Sequence, residues 1–191
     1  RVKPATQEPL RVGLVQTKWH DDPDLHEAKL LEGIKLAAEA GAKIVFLQEL
    51  TLSRYPADKK PEGTPSKIAE PLEGGKTHLF ASKAAKEHGV IVHASLYELA
   101  ELGDGRGLNT AILVDTSGKI IWKTKICDYV EHQGYGASPA LYQKLAIVAA
   151  DNKGGGALVA LDRVTGEVAW KRDRPKLPNY PSPILIHAFG R

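Results

Sequence analysis

An α/β fold that gives way to short antiparallel strands is what this sequence predicts, and three observations predict it. From Leu10 to Val114 hydrophobic strands alternate with amphipathic helices. From Gly134 onward the elements shorten and are punctuated by S-P, G-G-G and T-G turns. Two motifs also recur at intervals in the forties. Ser138-Pro139-Ala140-Leu141 returns as Ser182-Pro183-Ile184-Leu185, and Gly118-Lys119-Ile120-Ile121-Trp122-Lys123 returns as Gly166-Glu167-Val168-Ala169-Trp170-Lys171. Such a period, with several strands per unit, is the mark of propeller blades. Asp115 to Lys125 fits either pattern, so the chain reads as two incomplete pieces, 1–120 and 121–191.

Leu10 to Gln16 is a short apolar run with polar flanks, the pattern of a buried strand. A helix follows. Asp22, Pro23 and Asp24 supply capping chemistry, Glu27 completes a capping box with Asp24, and Gly41 ends the helix. Its apolar face is Leu30, Ile34, Ala37 and Ala38, which must pack on a sheet. Lys43 to Leu47 is the next strand. A long proline-rich loop from Thr51 to about Gly75 follows it, and a loop of that length in a compact domain is usually functional. A second helix spans about Lys76 to His88 and stops at Gly89. Val90 to Leu96 and Asn109 to Val114 are strands, separated by the turn Gly103-Asp104-Gly105-Arg106-Gly107. Further on, Leu145 to Ala150, Ala157 to Leu161 and Glu167 to Lys171 read as three short strands. Gly154-Gly155-Gly156 reads as a hairpin turn, because it lacks the lysine and helix start of a phosphate loop.

Composition narrows the function classes. A chain of 191 residues holds one ordinary domain or two small ones. The net charge of +3, from 26 basic and 23 acidic residues, is too mild to mark a nucleic-acid or membrane surface. Lys171 to Lys176 is interrupted by Asp173 and Pro175 and reads as a solvated loop. The single cysteine, Cys127, excludes an internal disulfide and argues against a bridge-stapled secreted fold. No apolar run approaches membrane-spanning length and the opening RVKPATQEPL has no signal-peptide core. The absence of methionine reads as a processed product or a fragment. His20, Asp21, Asp22, Asp24 and His26 cluster without zinc spacing, and helix capping accounts for the aspartates; no metal or cofactor is expected.

Phe46-Leu47-Gln48-Glu49-Leu50-Thr51-Leu52-Ser53-Arg54-Tyr55-Pro56, followed by His93-Ala94-Ser95-Leu96-Tyr97-Glu98 and Leu108-Asn109-Thr110-Ala111-Ile112-Leu113, resembles the nitrilase superfamily over roughly residues 10 to 121. More narrowly it is similar to carbon-nitrogen hydrolases that act on small amides and N-carbamoyl amines. The resemblance implies an α-β-β-α sandwich, incomplete here, a small amide or carbamoyl substrate, and a glutamate, lysine and cysteine as the catalytic groups. Such chemistry needs a thiolate nucleophile, a carboxylate to move its proton and a cation beside the oxyanion. Glu49 matches the general base at the end of the second strand, where a long loop could hold it partly desolvated with a raised pKa. The family lysine follows its turn glycine in the pattern G-x-x-x-x-x-x-x-K. Counted from Gly118, Ile126 takes that column and Lys125 stands one residue early, which in a strand would turn the ammonium to the opposite face. Ile126-Cys127-Asp128-Tyr129 imitates the nucleophile's setting but follows the lysine region directly. The candidates are therefore Glu49, Lys125 and Cys127, and the chain as it stands is expected to be inactive.

From about Ile121 the sequence resembles the propellers related to pyrroloquinoline-quinone dehydrogenases, through Ala160-Leu161-Asp162-Arg163-Val164-Thr165-Gly166-Glu167-Val168-Ala169-Trp170. That resemblance implies one to one and a half antiparallel blades, with Trp170 packed in a neighbouring blade and Gly166 in the turn. The hydrolase resemblance implies a cytoplasmic location, whereas the propeller resemblance implies possible export. A scaffold or binding protein, or a non-native join of two genes, stays open beside the hydrolase reading.

Overall fold

The computed structural model describes residues 8–55, 65–100, 107–128, 130 and 136–186. The expectations that fall on Pro56, Gly103 to Arg106, Tyr129 and Gly134 lie outside them. The chain divides into two compact units, Arg1–Ile121 and Trp122–Arg191.

In the first unit the strands β1 (Val12–Val15), β2 (Ile44–Leu47), β3 (Ile91–Glu98) and β4 (Leu108–Val114) form one sheet in the order β1-β2-β3-β4, as expected from their sequence. The first three run parallel, and β4 returns antiparallel to β3. The crossovers are helices α1 (Pro23–Glu39) and α2 (Lys76–His88). Parallel neighbours require such connections, and both helices bury their apolar stripes on one face of the sheet. Leu30, Ile34, Phe80, Ala81, Ala84 and Ala85 meet Val45, Leu47, Val92, Ala94, Ile112 and Val114 there. Two glycines set the approach of α1: a Cβ at Gly33 would fall 2.5 Å from Val15 Cγ1, and one at Gly13 would fall 2.6 Å from Ala37 Cβ.

Capping differs from the sequence reading. Asp22, rather than Asp24, is the N-cap of α1 and accepts from the Asp24 and Leu25 amides, with Pro23 opening the helix. Glu27 therefore sits beyond the third helical position, and no capping box forms. Gly75 caps α2 with no side chain of its own. The buried Glu70 reaches in instead and accepts from Thr77 N at 2.8 Å and Thr77 Oγ1 at 2.6 Å. After β4 the chain reverses at Asp115, whose carboxylate accepts from Ser117 N and Lys119 N.

The sheet's other face carries Leu14, Phe46, His93 and Leu113 in one row, one from each strand by register. Phe46 and His93 stack with ring centroids 5.2 Å apart, while Leu14 is 80% exposed.

The second unit is an open four-stranded antiparallel sheet in sequence order: β5 (Ala140–Tyr142), β6 (Leu145–Ala149), β7 (Gly156–Asp162) and β8 (Val168–Arg174). The sequence reading missed β5, whose three residues are too few to show a period. Ala157, Val159 and Leu161 form its small core, against which Trp122, Ile126 and Cys127 pack. Two expectations are corrected here. Beyond Lys171, Arg172 to Arg174 continue β8 rather than forming a loop, and the strand is exposed along its whole length. Trp170 is 38% exposed on that strand, and the indole that packs on the Thr165-Gly166 turn is Trp122.

Candidate functional site

Glu49 follows β2 in a turn that runs from Gln48 to Thr51, and its geometry is built by Thr51. That threonine is wholly buried. Its N–H donates to Ser95 O at 2.8 Å, its hydroxyl donates to Gln48 O at 2.9 Å, and the same oxygen accepts from Ser95 N at 3.0 Å. Thr51 O receives the Nε2–H of His26 at 3.0 Å; since a carbonyl only accepts, that ring nitrogen carries the proton. His26 is buried in α1 and its ring packs, tilted, against Trp19 with centroids 4.5 Å apart. Leu50, between Glu49 and Thr51, is held at φ 49°, a left-handed conformation that a leucine adopts only when its surroundings impose it.

The Glu49 side chain is exposed, not partly desolvated as the sequence reading expected, because the turn projects it past the end of the strand. It is nevertheless restrained. Asn109 Nδ2 on β4 donates to Glu49 Oε1 at 2.6 Å, and Ser95 Oγ donates to Asn109 Oδ1 over a longer 3.4 Å. His93 lies on the same sheet face. Burial pushes its imidazole below the ordinary pKa, against carbonyl acceptors that act the other way.

Lys125 and Cys127 belong to the second unit. Residues 121–128 form no strand in this structure, so a one-residue slip does not reverse the face of Lys125 as the sequence reading expected. Lys125 is exposed and ion-paired to Asp128 at 2.6 Å, a hydrogen bond that raises the lysine's pKa and lowers the aspartate's. Cys127 is half-buried, with its sulfur 3.6 Å from Ala150 O and 3.5 Å from Asn152 Nδ2. Asn152 is the hub of this region. Its Nδ2 is shared among the carbonyls of Asp128, Ala150 and Gly155, and its Oδ1 accepts from Val130 N and Gly154 N.

Among the described residues no three His, Cys, Asp or Glu side chains converge as a metal site would require, and no helix is long and apolar enough to cross a membrane. Sequence reasoning missed Thr51, His26 and Asn109. Thr51 and Asn109 lie in the quoted motifs, but their roles depend on which strands become neighbours.

The sequence model of the carbon-nitrogen hydrolases matches residues 11–157. This chain belongs to the carbon-nitrogen hydrolase family. The match crosses from the first unit into the second and takes in β5 and β6. Among solved structures, a carbon-nitrogen hydrolase from Helicobacter pylori G27 is similar with a TM-score of 0.50 at 22% identity, over 61% of this chain and 40% of that one. Nit3 of Saccharomyces cerevisiae, a member of branch 10 of the nitrilase superfamily, gives a TM-score of 0.47 at 26% identity, over 58% of this chain and 41% of that one. A glutamate-to-glutamine mutant of the amidase from Nesterenkonia sp. AN1, with acrylamide added at its active-site cysteine, gives 0.46 at 18% identity, over 80% and 56%. The Helicobacter likeness is one of fold. This carbon-nitrogen hydrolase chain spans about two fifths of the first two proteins' lengths.

Proposed function

We propose that this chain carries the general-base part of an amide-hydrolysing site, with Glu49 as the base and a small amide or N-carbamoyl amine as the substrate. The observation that supports it is the built turn around Glu49. A fully buried threonine, a buried histidine and a left-handed leucine together fix the backbone that presents an exposed carboxylate at a strand end. In the reaction so assigned, the carboxylate takes the thiol proton and the thiolate adds to the amide carbon. A cation stabilises the oxyanion, the proton returns to the departing amine, and water then cleaves the thioester.

Lys125 and Cys127 remain the chain's own candidates for cation and nucleophile. Their present contacts argue for a silent site: the ammonium is engaged by Asp128 and the sulfur faces a carbonyl and an amide. Losing one member of a catalytic set removes most of the rate, and here Ile126 stands in the lysine column with Cys127 directly after it. The test is ammonia release from propionamide and from an N-carbamoyl amine, together with NMR shifts at Glu49 on adding propionamide. No ammonia and a localised shift at Glu49 are expected. Turnover abolished by both Glu49→Gln and Cys127→Ala would overturn the silent reading, and no response at Glu49 would overturn its role as base.

A second reading is favoured by one contact. Trp122 packs on Gly166, and each belongs to one copy of the repeated G-K/E-x-x-W motif, as successive propeller blades would require. On this reading residues 121–191 are part of a propeller scaffold joined to a partial hydrolase domain over 1–120. Further copies of the repeat in the source gene beyond Arg191 would support it, and a continuous hydrolase reading frame there would remove it.

A further inference from the structure

We infer that Asn109 is a positioning residue for Glu49, an assignment that rests on the reading of Glu49 as the base. Asn109 and Ser95 lie on one face of neighbouring strands, with Asn109 opposite Tyr97 and Ser95 opposite Ala111. That face presents both side chains toward the Glu49 turn. An ionised carboxylate accepts and cannot donate, so the nitrogen of the Asn109 amide must face Glu49 and its oxygen must face Ser95. The Ser95 hydroxyl is then left to donate to Asn109 Oδ1, which is the arrangement present, at 3.4 Å. The 2.6 Å bond from Asn109 Nδ2 is short and charge-assisted, and it occupies Oε1.

This matters because the Glu49 side chain is exposed. The Thr51 clamp fixes its backbone, while nothing in that clamp touches the carboxylate. An unrestrained glutamate would sample many rotamers, and a base aimed in one direction for only part of the time loses rate in proportion. Asn109 supplies the missing restraint from a strand that the sequence puts sixty residues away.

The test is side-chain NMR on the whole chain. In the unaltered protein, three-bond couplings report one dominant Glu49 rotamer, and a through-hydrogen-bond coupling links Asn109 Nδ2 to Glu49 Cδ. Asn109→Asp keeps the shape and removes the donor; it is expected to average the Glu49 couplings while the backbone spectrum of β3 and β4 is retained. Should that variant not fold, the direct coupling in the unaltered chain decides alone. Absence of the coupling, or Glu49 couplings equally averaged with and without the amide, would overturn the inference. A bond and rotamer that persist while propionamide leaves Glu49 unmoved would remove the base reading and leave the restraint standing.

Discussion

Trp122 lies against Gly166, so closely that a Cβ on the glycine would fall 2.5 Å from Cδ2 of the indole. Thr124 Oγ1 donates to the carbonyl of the same glycine at 2.6 Å, and Trp122 Nε1 donates to Arg163 O at 3.2 Å. One turn thus anchors the segment that leads into the second unit.

Gly166→Ala is expected to destabilise that unit by about 2–4 kcal/mol, because it combines a left-handed φ of 75° with an overpacked contact. Urea unfolding followed by tryptophan fluorescence reads the loss. An unchanged midpoint would mean that the indole leaves the turn at no cost.

Thr51→Val keeps the shape and removes the hydroxyl on which the Glu49 turn closes. The Ser95 N–H and the Gln48 carbonyl lose their partner, at a cost of about 2–3 kcal/mol. Thr51→Ser, which keeps the oxygen, should recover most of it. Hydrogen exchange at the Ser95 amide is the measurement, with faster exchange in the valine variant only.

Gly33→Ala sets two effects against each other. Helix propensity favours alanine by about 1 kcal/mol, whereas the new methyl meets Val15 Cγ1 at 2.5 Å and overpacking costs about 1–3 kcal/mol. Net destabilisation of the first unit is expected. Val15→Ala combined with it should cost less than the two changes summed, and a thermodynamic cycle on the four proteins tests that coupling.

The first unit should weaken on mild acidification through His93. Its imidazole is held below the ordinary 6.5 by burial, so the unfolded chain binds the proton more strongly than the folded one. Stability contributed by the neutral ring is full above about pH 6.5, is lost as pH falls below that value, and stops falling beneath the folded pKa. His93→Phe keeps a ring against Phe46 and should flatten the difference between urea midpoints at about pH 7.5 and about pH 5. An equal difference in both proteins would assign the effect to other groups.

The first unit was legible because its signals are local and agree. Leu30 and Ile34 mark the helix face, Gly89 ends α2 in a left-handed cap, and the strands are apolar runs between turns. The position of Glu49 at the end of the second strand was legible from the motif around it. What surrounds Glu49 was not, since His26, Ser95 and Asn109 reach the turn from α1, β3 and β4 and become neighbours only through strand order. The second unit misled in a different way. Trp170 carries the motif, yet the indole that packs on the Gly166 turn is the partly buried Trp122, because a repeat read from one chain does not say which copy supplies the partner.

Asn152 gives the second unit a chemical clock. A single side-chain amide holds Cys127, Asp128 and Val130 to the loop between β6 and β7 by donating to carbonyls on one side and accepting amides on the other. Closure of that amide into a ring with loss of ammonia, followed by reopening of the ring by water, would replace the donor by an anionic oxygen facing the carbonyls of Asp128, Ala150 and Gly155, turning a clasp into a wedge. The reaction needs the backbone nitrogen of Lys153 to reach the side-chain carbon, and burial with both amide ends occupied withholds that approach. Any such ageing would have to wait for the loop to open, and one altered side chain would then be enough to loosen a unit otherwise intact.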